Sequence, residues 1–293
     1  MRMVVWQKIT EMSFWRLLLV WALGAALALS LVGPAKAVQT LYGINSTATD
    51  GSGFLFTIDT NTGASTLVGP LSSSMGAFGL GIRDNKLYTY DQIANPQVIR
   101  QLDPLTGATV NTINIGTPQL IAEGDLTFRS SDGIGFLTSV FGPNSVVAPL
   151  YSFDITVPSY TYIGSMGIFM DGLEYWNGTL YGLSQNYTDP PKKLYTINPT
   201  NAALTLIGST GVSGPMVGDL AFRADGTLFA SMDSNLYTLD VNTGAATLIG
   251  PIGYQYVTGL AFLDSNPIPT PGALLLLGSG LSVLAGWRRF RKG

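Results

Sequence analysis

The chain of 293 residues carries 15 basic and 18 acidic side chains and neither cysteine nor histidine, which removes thiol catalysis, thiolate and imidazole metal sites, disulfides and the Ser-His-Asp and Cys-His arrangements. Arg2, Lys8, Arg16 and Lys36 near the start and Arg288, Arg289, Arg291 and Lys292 at the end leave residues 38–271 with seven basic against 17 acidic groups, a balance of −10 that disfavours a nucleic-acid partner. The length permits two domains or one large all-β domain with appendages, and 35 Gly with 16 Pro against only 11% charged residues favour turns and strands over helices.

From Leu17 to Val32 the chain reads LLLVWALGAALALSLV, with Lys8 and Arg16 before it and Gly33-Pro34-Ala35-Lys36-Ala37 after it. A basic start, a short apolar core and small residues at Ala35 and Ala37 form the pattern of a secretory signal, so residues 1–37 are expected to be removed by signal peptidase after Ala37. An uncleaved anchor is the alternative, although the run is short for a span.

The body, residues 38–265, is repetitive. A strand ending in Asp or Asn, a turn and a second strand ending in Gly occur as FLFTIDTNTGASTLVG from Phe54, VIRQLDPLTGATVNTINIG from Val98, PLYSFDITVPSYTYIG from Pro149, KLYTINPTNAALTLIG from Lys193 and NLYTLDVNTGAATLIG from Asn235. Their anchors, Asp59, Asp103, Asp154, Asn198 and Asp240, lie 44, 51, 44 and 42 residues apart, the spacing of one unit copied five times. Two further strands precede each hairpin. The first reads AFGLGI from Ala77, EGDLTF from Glu123, DGLEYW from Asp171, GDLAF from Gly218 and TGLAF from Thr258; the second is typified by KLYTYD from Lys86 and TLYGLS from Thr179. Four short alternating strands per unit predict propeller blades. The first unit lacks its first strand and an orphan strand, 257–263, follows the last, so the two ends are expected to complete one blade between them as a latch. That gives an all-β, five-bladed, monomeric propeller in which Leu260 and Phe262 pack against both neighbouring blades; six or seven blades would need strands hidden in the longer third unit. The body resembles the YVTN/NHL/WD40-like propeller superfamily in general, without the full motif of one family.

Two features of the body could carry chemistry. The turn Asp59-Thr60-Asn61-Thr62-Gly63 begins like a calcium loop but lacks its third carboxylate and closing Glu, and its recurrence points to a hairpin turn capped by Asp. No metal site or cofactor is therefore expected. Aligning Leu80, Leu126, Leu173, Leu220 and Leu260 brings Asp125, Asp171 and Asp219, flanked by Glu123 and Glu174, toward the central channel. Such acids could bind a cation or a sugar, serve as the acid/base pair of a glycan hydrolase or lyase, or simply hydrogen-bond the backbone of neighbouring inner strands. Tyr42, Trp176, Tyr181 and Tyr187 could stack on sugars, or pack between blades.

Residues 266–293 begin with Pro267-Ile268-Pro269-Thr270-Pro271, continue as GALLLLGSGLSVLAGW and end in the cluster Arg288, Arg289, Arg291 and Lys292. Sixteen helical residues cover roughly 24 Å, enough to span a thinned bilayer with the cationic tail on the cytoplasmic side. The order of proline motif, Leu/Gly-rich run and Arg cluster resembles the PEP-CTERM sorting signal of bacteria that make extracellular polysaccharide, with Thr270 where that family usually carries Glu. The resemblance implies recognition and processing by exosortase near Pro269, Thr270 and Pro271. The resulting expectation is an exported, non-enzymatic propeller at the surface or in the extracellular matrix of a Gram-negative-type cell, binding glycan or protein. An extracellular glycan hydrolase using the channel carboxylates is the alternative.

Overall fold

The computed structural model describes residues 38–46, 53–72, 75–94, 96–116, 124–142, 146–157, 159–185, 190–214 and 217–264. The expected signal peptide with Ala35 and Ala37, the sorting segment with Pro269, Thr270, Pro271, Arg288, Arg289, Arg291 and Lys292, and also Glu123 and Tyr187, lie outside the described residues. Among the described residues no helix is long and apolar enough to cross a membrane.

Residues Gln39–Asp264 form a compact unit of five antiparallel four-stranded sheets. Blade one has β1 (Gln39–Ser46), β2 (Gly53–Ile58) and β3 (Ser65–Pro70), and takes β20 (Val257–Asp264) as its innermost strand. Blade two comprises β4 (Ala77–Arg83), β5 (Lys86–Asp91), β6 (Val98–Leu102) and β7 (Thr109–Ile113); blade three β8 (Leu126–Phe128), β9 (Gly135–Thr138), β10 (Pro149–Asp154) and β11 (Ser159–Ser165). Blade four holds β12 (Met170–Trp176), β13 (Thr179–Ser184), β14 (Lys193–Ile197) and β15 (Leu204–Ser209), and blade five β16 (Gly218–Phe222), β17 (Leu228–Met232), β18 (Asn235–Leu239) and β19 (Ala246–Pro251). The innermost strands touch in the closed order β20, β4, β8, β12, β16 and back to β20.

The period-two alternation of apolar residues explains why the sheets stack. Each blade is apolar on both faces, and each of the five seams between blades holds its own buried cluster. The seam between blades one and five buries Leu41, Phe56, Phe229, Leu260 and Phe262, and the seam between blades one and two buries Ile44, Leu55, Leu80 and Leu87. The closing strand serves both by alternation. Leu260 and Phe262, two apart, share the face toward blade five, while Ala261 and Leu263 face blade two. This corrects the expectation that Leu260 and Phe262 would bridge both neighbours, because successive side chains of a strand point to opposite faces. Tyr42 also packs into the seam between blades one and two rather than standing ready for a ligand.

The recurring turn is a seam device. Asp59 Oδ1 accepts the N–H groups of Asn61 at 2.8 Å and Thr62 at 3.1 Å, and Asp240 repeats this with Asn242 and Thr243. These bonds hold the exposed Asp59 and Asp240 carboxyls below the usual carboxylate range. The Asp side chain thus organises its own turn, as the hairpin reading requires. Gly63, at φ +80°, lies against the end of the outer strand of the preceding blade: a Cβ on Gly250 would stand 2.2 Å from the Thr62 carbonyl oxygen, and one on Gly63 2.6 Å from that of Gly250. Two glycines that look like separate punctuation in the sequence are the two halves of one contact between blades.

Chain-end closure makes β20 indispensable. It pairs with β1 from Gln39↔Asp264 to Asn45↔Val257, and the Asn85 side chain bonds the Asp264 backbone in both directions, at 3.0 and 3.1 Å. A chain ending at Pro267 retains this strand and is expected to melt as a closed propeller. One ending at Gly253 loses about several kcal/mol of burial and ladder bonding, comparable with a domain's whole stability of roughly 5–15 kcal/mol, and is expected to aggregate or to bind a hydrophobic dye. Thermal melts of the two chains decide this, and equal midpoints would contradict the latch.

Candidate functional site at the channel mouth

An innermost strand has one unpaired edge, and in a closed ring five such edges face the same axis. At one level the edge donors are the N–H groups of Leu80, Leu126, Leu173, Leu220 and Leu260, the leucines that the repeat aligns. Two carboxylates from the chain meet them. Asp125 Oδ1 accepts from Leu126 at 2.6 Å, Oδ2 accepts from Leu173, and the Leu80 N–H also stabilises its anion. Asp219 Oδ1 accepts from Leu220 at 2.6 Å and Oδ2 from Leu260 at 2.5 Å. Each aspartate therefore bonds its own strand and reaches across to the next blade, so buried donors that would otherwise be orphaned are satisfied.

The sequence around the ring at this level is Gly79, Asp125, Gly172, Asp219, Gly259. Space accounts for the alternation, since a Cβ on Gly79 would sit 2.1 Å from Asp125 Oδ1 and one on Gly172 2.8 Å from Asp219 Cα. The two carboxyl groups also bond each other. Burial raises both pKa values, and the charge of Asp125 raises that of Asp219 further, so the pair retains a shared proton well above the usual carboxylate range.

Glu174 lies one level nearer the mouth. Its Oε2 accepts from Thr127 Oγ1 at 2.9 Å and its Oε1 from the Phe222 N–H at 3.3 Å, while Thr127 Oγ1 accepts the Tyr175 N–H at 3.1 Å. Burial, opposed by these bonds, pushes its pKa up to about 8, leaving it an uncharged acid at neutral pH. Asp171 does not join the group. It is buried against Lys192, whose Nζ donates to Asp171 Oδ2 and, at 3.4 Å, to the Ser184 carbonyl. Burial outweighs that cation and raises Asp171 to about 6. Among the described residues no group of three acids is placed to hold a metal ion.

Above Glu174 the channel opens into a cavity of about 380 Å³ whose walls include Thr127, Phe128, Glu174, Tyr175, Trp176 and Asn177. Of the expected carboxylates among the described residues only Glu174 lines it. Trp176 is stacked on Phe222 with ring centroids 5.1 Å apart and planes at 13°, and Tyr175 on Phe136 at 5.8 Å and 7°.

Sequence reasoning missed the bracing around this mouth. Arg129 is paired with Asp132 at 2.7 Å and lies over the Phe136 ring at 5.5 Å; Arg223 is paired with Asp225 at 2.8 Å and lies over Phe229 at 5.2 Å. The signal was present in the repeat, because Arg83, Arg129 and Arg223 each stand three residues after an aligned leucine. These side chains clamp hairpins; none of them lines the cavity above Glu174, while Arg83 and Arg129 line an adjoining hollow of about 470 Å³.

No family model matches the chain, and no curated protein does. Among solved structures 286 chains match. One, from the crystal structure of a nidogen/laminin complex, is 14% identical, with 78% of this chain and 83% of that chain covered and a TM-score of 0.50. The body is a β-propeller. At that identity the likeness establishes the propeller fold alone.

The buried acids give a signed pH dependence. A carboxyl whose folded pKa lies above its unfolded value near 4 binds more protons when folded, so its contribution is complete below about pH 4 and is lost as pH rises through the folded value. With Asp171 at about 6, Asp125 at about 7 and Glu174 at about 8, the melting temperature is expected to fall between pH 5 and pH 9. Acids nearer the surface with lowered values, such as the half-buried Asp154 and the exposed Asp225, act oppositely and only toward more acid pH. Asp219→Asn, whose amide supplies permanently the hydrogen that the pair shares, should flatten part of this slope. A melting temperature constant across the window would contradict the shared proton.

Proposed function

We propose that this protein is an exported binding module of the cell surface or extracellular matrix, in which the propeller carries recognition and the terminal segments carry trafficking. The observation that supports binding over hydrolysis is the fate of the channel carboxylates. Asp125 and Asp219 are enclosed and bonded by backbone N–H groups, and Asp171 is paired with Lys192, so among the described residues Glu174 faces the cavity without a second carboxyl beside it. Glycoside hydrolysis ordinarily needs two carboxyl groups about 5 to 10 Å apart around the scissile bond. An uncharged acid, an indole and an amide around a preformed hollow suit recognition. One propeller of similar fold comes from a nidogen/laminin complex, a setting in which one protein holds another.

Trafficking rests on the two ends of the sequence. Cleavage by signal peptidase after Ala37 would deliver the chain across the inner membrane, and the apolar run before Arg288, Arg289, Arg291 and Lys292 would retain it there until exosortase acts near Pro269-Thr270-Pro271. The partner that follows from this route is extracellular polysaccharide, met by a monomeric propeller outside the cell.

A glycan array probed with the full chain, with turnover assayed in parallel, is expected to show binding without hydrolysis. Released reducing ends would return the enzyme reading. Mass spectrometry of the native protein is expected to find it lacking residues 1–37 and the Trp287 to Lys292 tail. A mature form that still carries that tail in cells with active exosortase would contradict the sorting route.

A further inference from the structure

The cavity over the axis has a chemistry narrower than binding in general. Its volume of about 380 Å³ lies at the small end of ligand pockets, roughly 300–1,000 Å³, room for one or two six-membered rings and not for a folded peptide. Its walls carry no Lys or Arg. The adjoining hollow that shares Ile82, Phe128 and Ser130 with it does carry Arg83 and Arg129, but these are paired with Asp154 and Asp132 and the axis below holds the Asp125 and Asp219 pair, so carboxylated, sulfated or phosphorylated ligands are disfavoured. A metal ion finds no set of three acidic donors among the described residues.

What the walls do offer is an aromatic platform with polar groups beside it. Trp176 ends β12 with its indole stacked on Phe222, which fixes the ring and lowers the ordering cost of using it. Asn177 follows at φ +47°, the first residue of the tight turn to Gly178, and it lines the same cavity together with Ser130. Glu174 stands two residues before Trp176 on β12, on the same side of the strand. Each of its oxygens accepts one hydrogen bond, from Thr127 and from the Phe222 N–H, and as an uncharged acid the group also carries an O–H to donate.

We propose that the channel mouth is a subsite for one uncharged pyranose ring, the terminal residue of a neutral glycan, stacked on Trp176 and hydrogen-bonded by the Glu174 carboxylic acid and the Asn177 amide. This rests on the binding-module reading and adds to it the location, the size and the charge of what is bound. A sugar ring presents an apolar C–H face and a rim of hydroxyls, the complement of an indole flanked by hydrogen-bonding groups. Glu174 then acts as a donor, a role that ends when it ionises near pH 8.

Saturation-transfer NMR on the full chain in detergent, with glucose, galactose, mannose and maltotetraose as probes, tests this directly. The expected result is transfer to at least one hexose, confined in maltotetraose to a terminal ring. Trp176→Ala should weaken the bound probe by roughly tenfold or more, in line with the loss of an aromatic anchor, and Trp176→Phe should restore part of it if the alanine variant proves unstable. Binding to the unaltered chain should decline from pH 7 to pH 9 and stay level in Glu174→Gln, whose amide remains a donor. Binding that survives both Trp176 substitutions, or that strengthens as pH rises, overturns the subsite while leaving the module reading in place. No transfer from any of the four probes overturns the subsite as well, and only an array without a single bound glycan or protein partner removes the module reading with it.

Discussion

Everything in this propeller is arranged around five strand edges that face one another. A sheet edge exposes N–H and C=O groups that ordinarily pair with a further strand or with water, and in a closed ring the innermost edges have no further strand to pair with. Asp125 and Asp219 resolve that conflict by presenting four oxygens to the five leucine N–H groups. The solution constrains the other blades in turn. Carboxylates projecting from blades three and five need the space that side chains would fill at Gly79 and Gly172, so the aligned positions cannot be acidic all round. Two carboxyl groups so close cannot both ionise without large cost, and a retained proton makes the axis a hydrogen-bonded plug rather than a charged pore.

Farther from the axis the same economy appears as repetition. Each seam buries one apolar cluster, and at the rim the Asp-capped turn of one blade meets the glycine at the end of the preceding blade's outer strand, as Gly244 meets Gly208 and Gly63 meets Gly250. Since the last of these contacts joins blade five to blade one, the ring closes at the rim as well as through β20. Closure therefore rests on two independent contacts between distant parts of the chain, one of strand pairing and one of backbone against glycine.

Much of this was legible in the sequence because the repeat is a packing unit. The five anchors from Asp59 to Asp240 fixed the number of blades, and the orphan strand at 257–263 fixed the closure. The turn's Asp side chains bond their own backbone N–H groups, the hairpin role that its recurrence in the sequence suggested. The carboxylates were only partly legible. Alignment on Leu173 brought Asp171 toward Asp125 and Asp219, yet it stands two residues before the leucine instead of one, so its side chain leaves on the opposite face and finds Lys192. Lys192 itself gave no signal, because a lysine before a strand reads as a solvated charge until tertiary burial shows otherwise. Tyr42 and Trp176 looked alike as exposed aromatics. One is sealed in a seam and the other stands at the mouth, a distinction set by position along the axis, which a linear pattern does not carry.

The plug and the mouth above it form one argument. If the axis is dry and its donors are occupied, Glu174 is the carboxyl group among the described residues that faces the cavity, and the propeller reads as a recognition surface rather than a hydrolytic one. Amide hydrogen exchange of the full chain, resolved at the five aligned leucines, measures this most directly. The N–H groups of Leu80, Leu126, Leu173, Leu220 and Leu260 are predicted to exchange only with global unfolding, and those of Leu173 and Leu260 to lose that protection in Asp125→Ala and Asp219→Ala respectively. Rapid exchange of all five in the unaltered chain would mean a water-filled channel with free carboxylates, and would contradict the account.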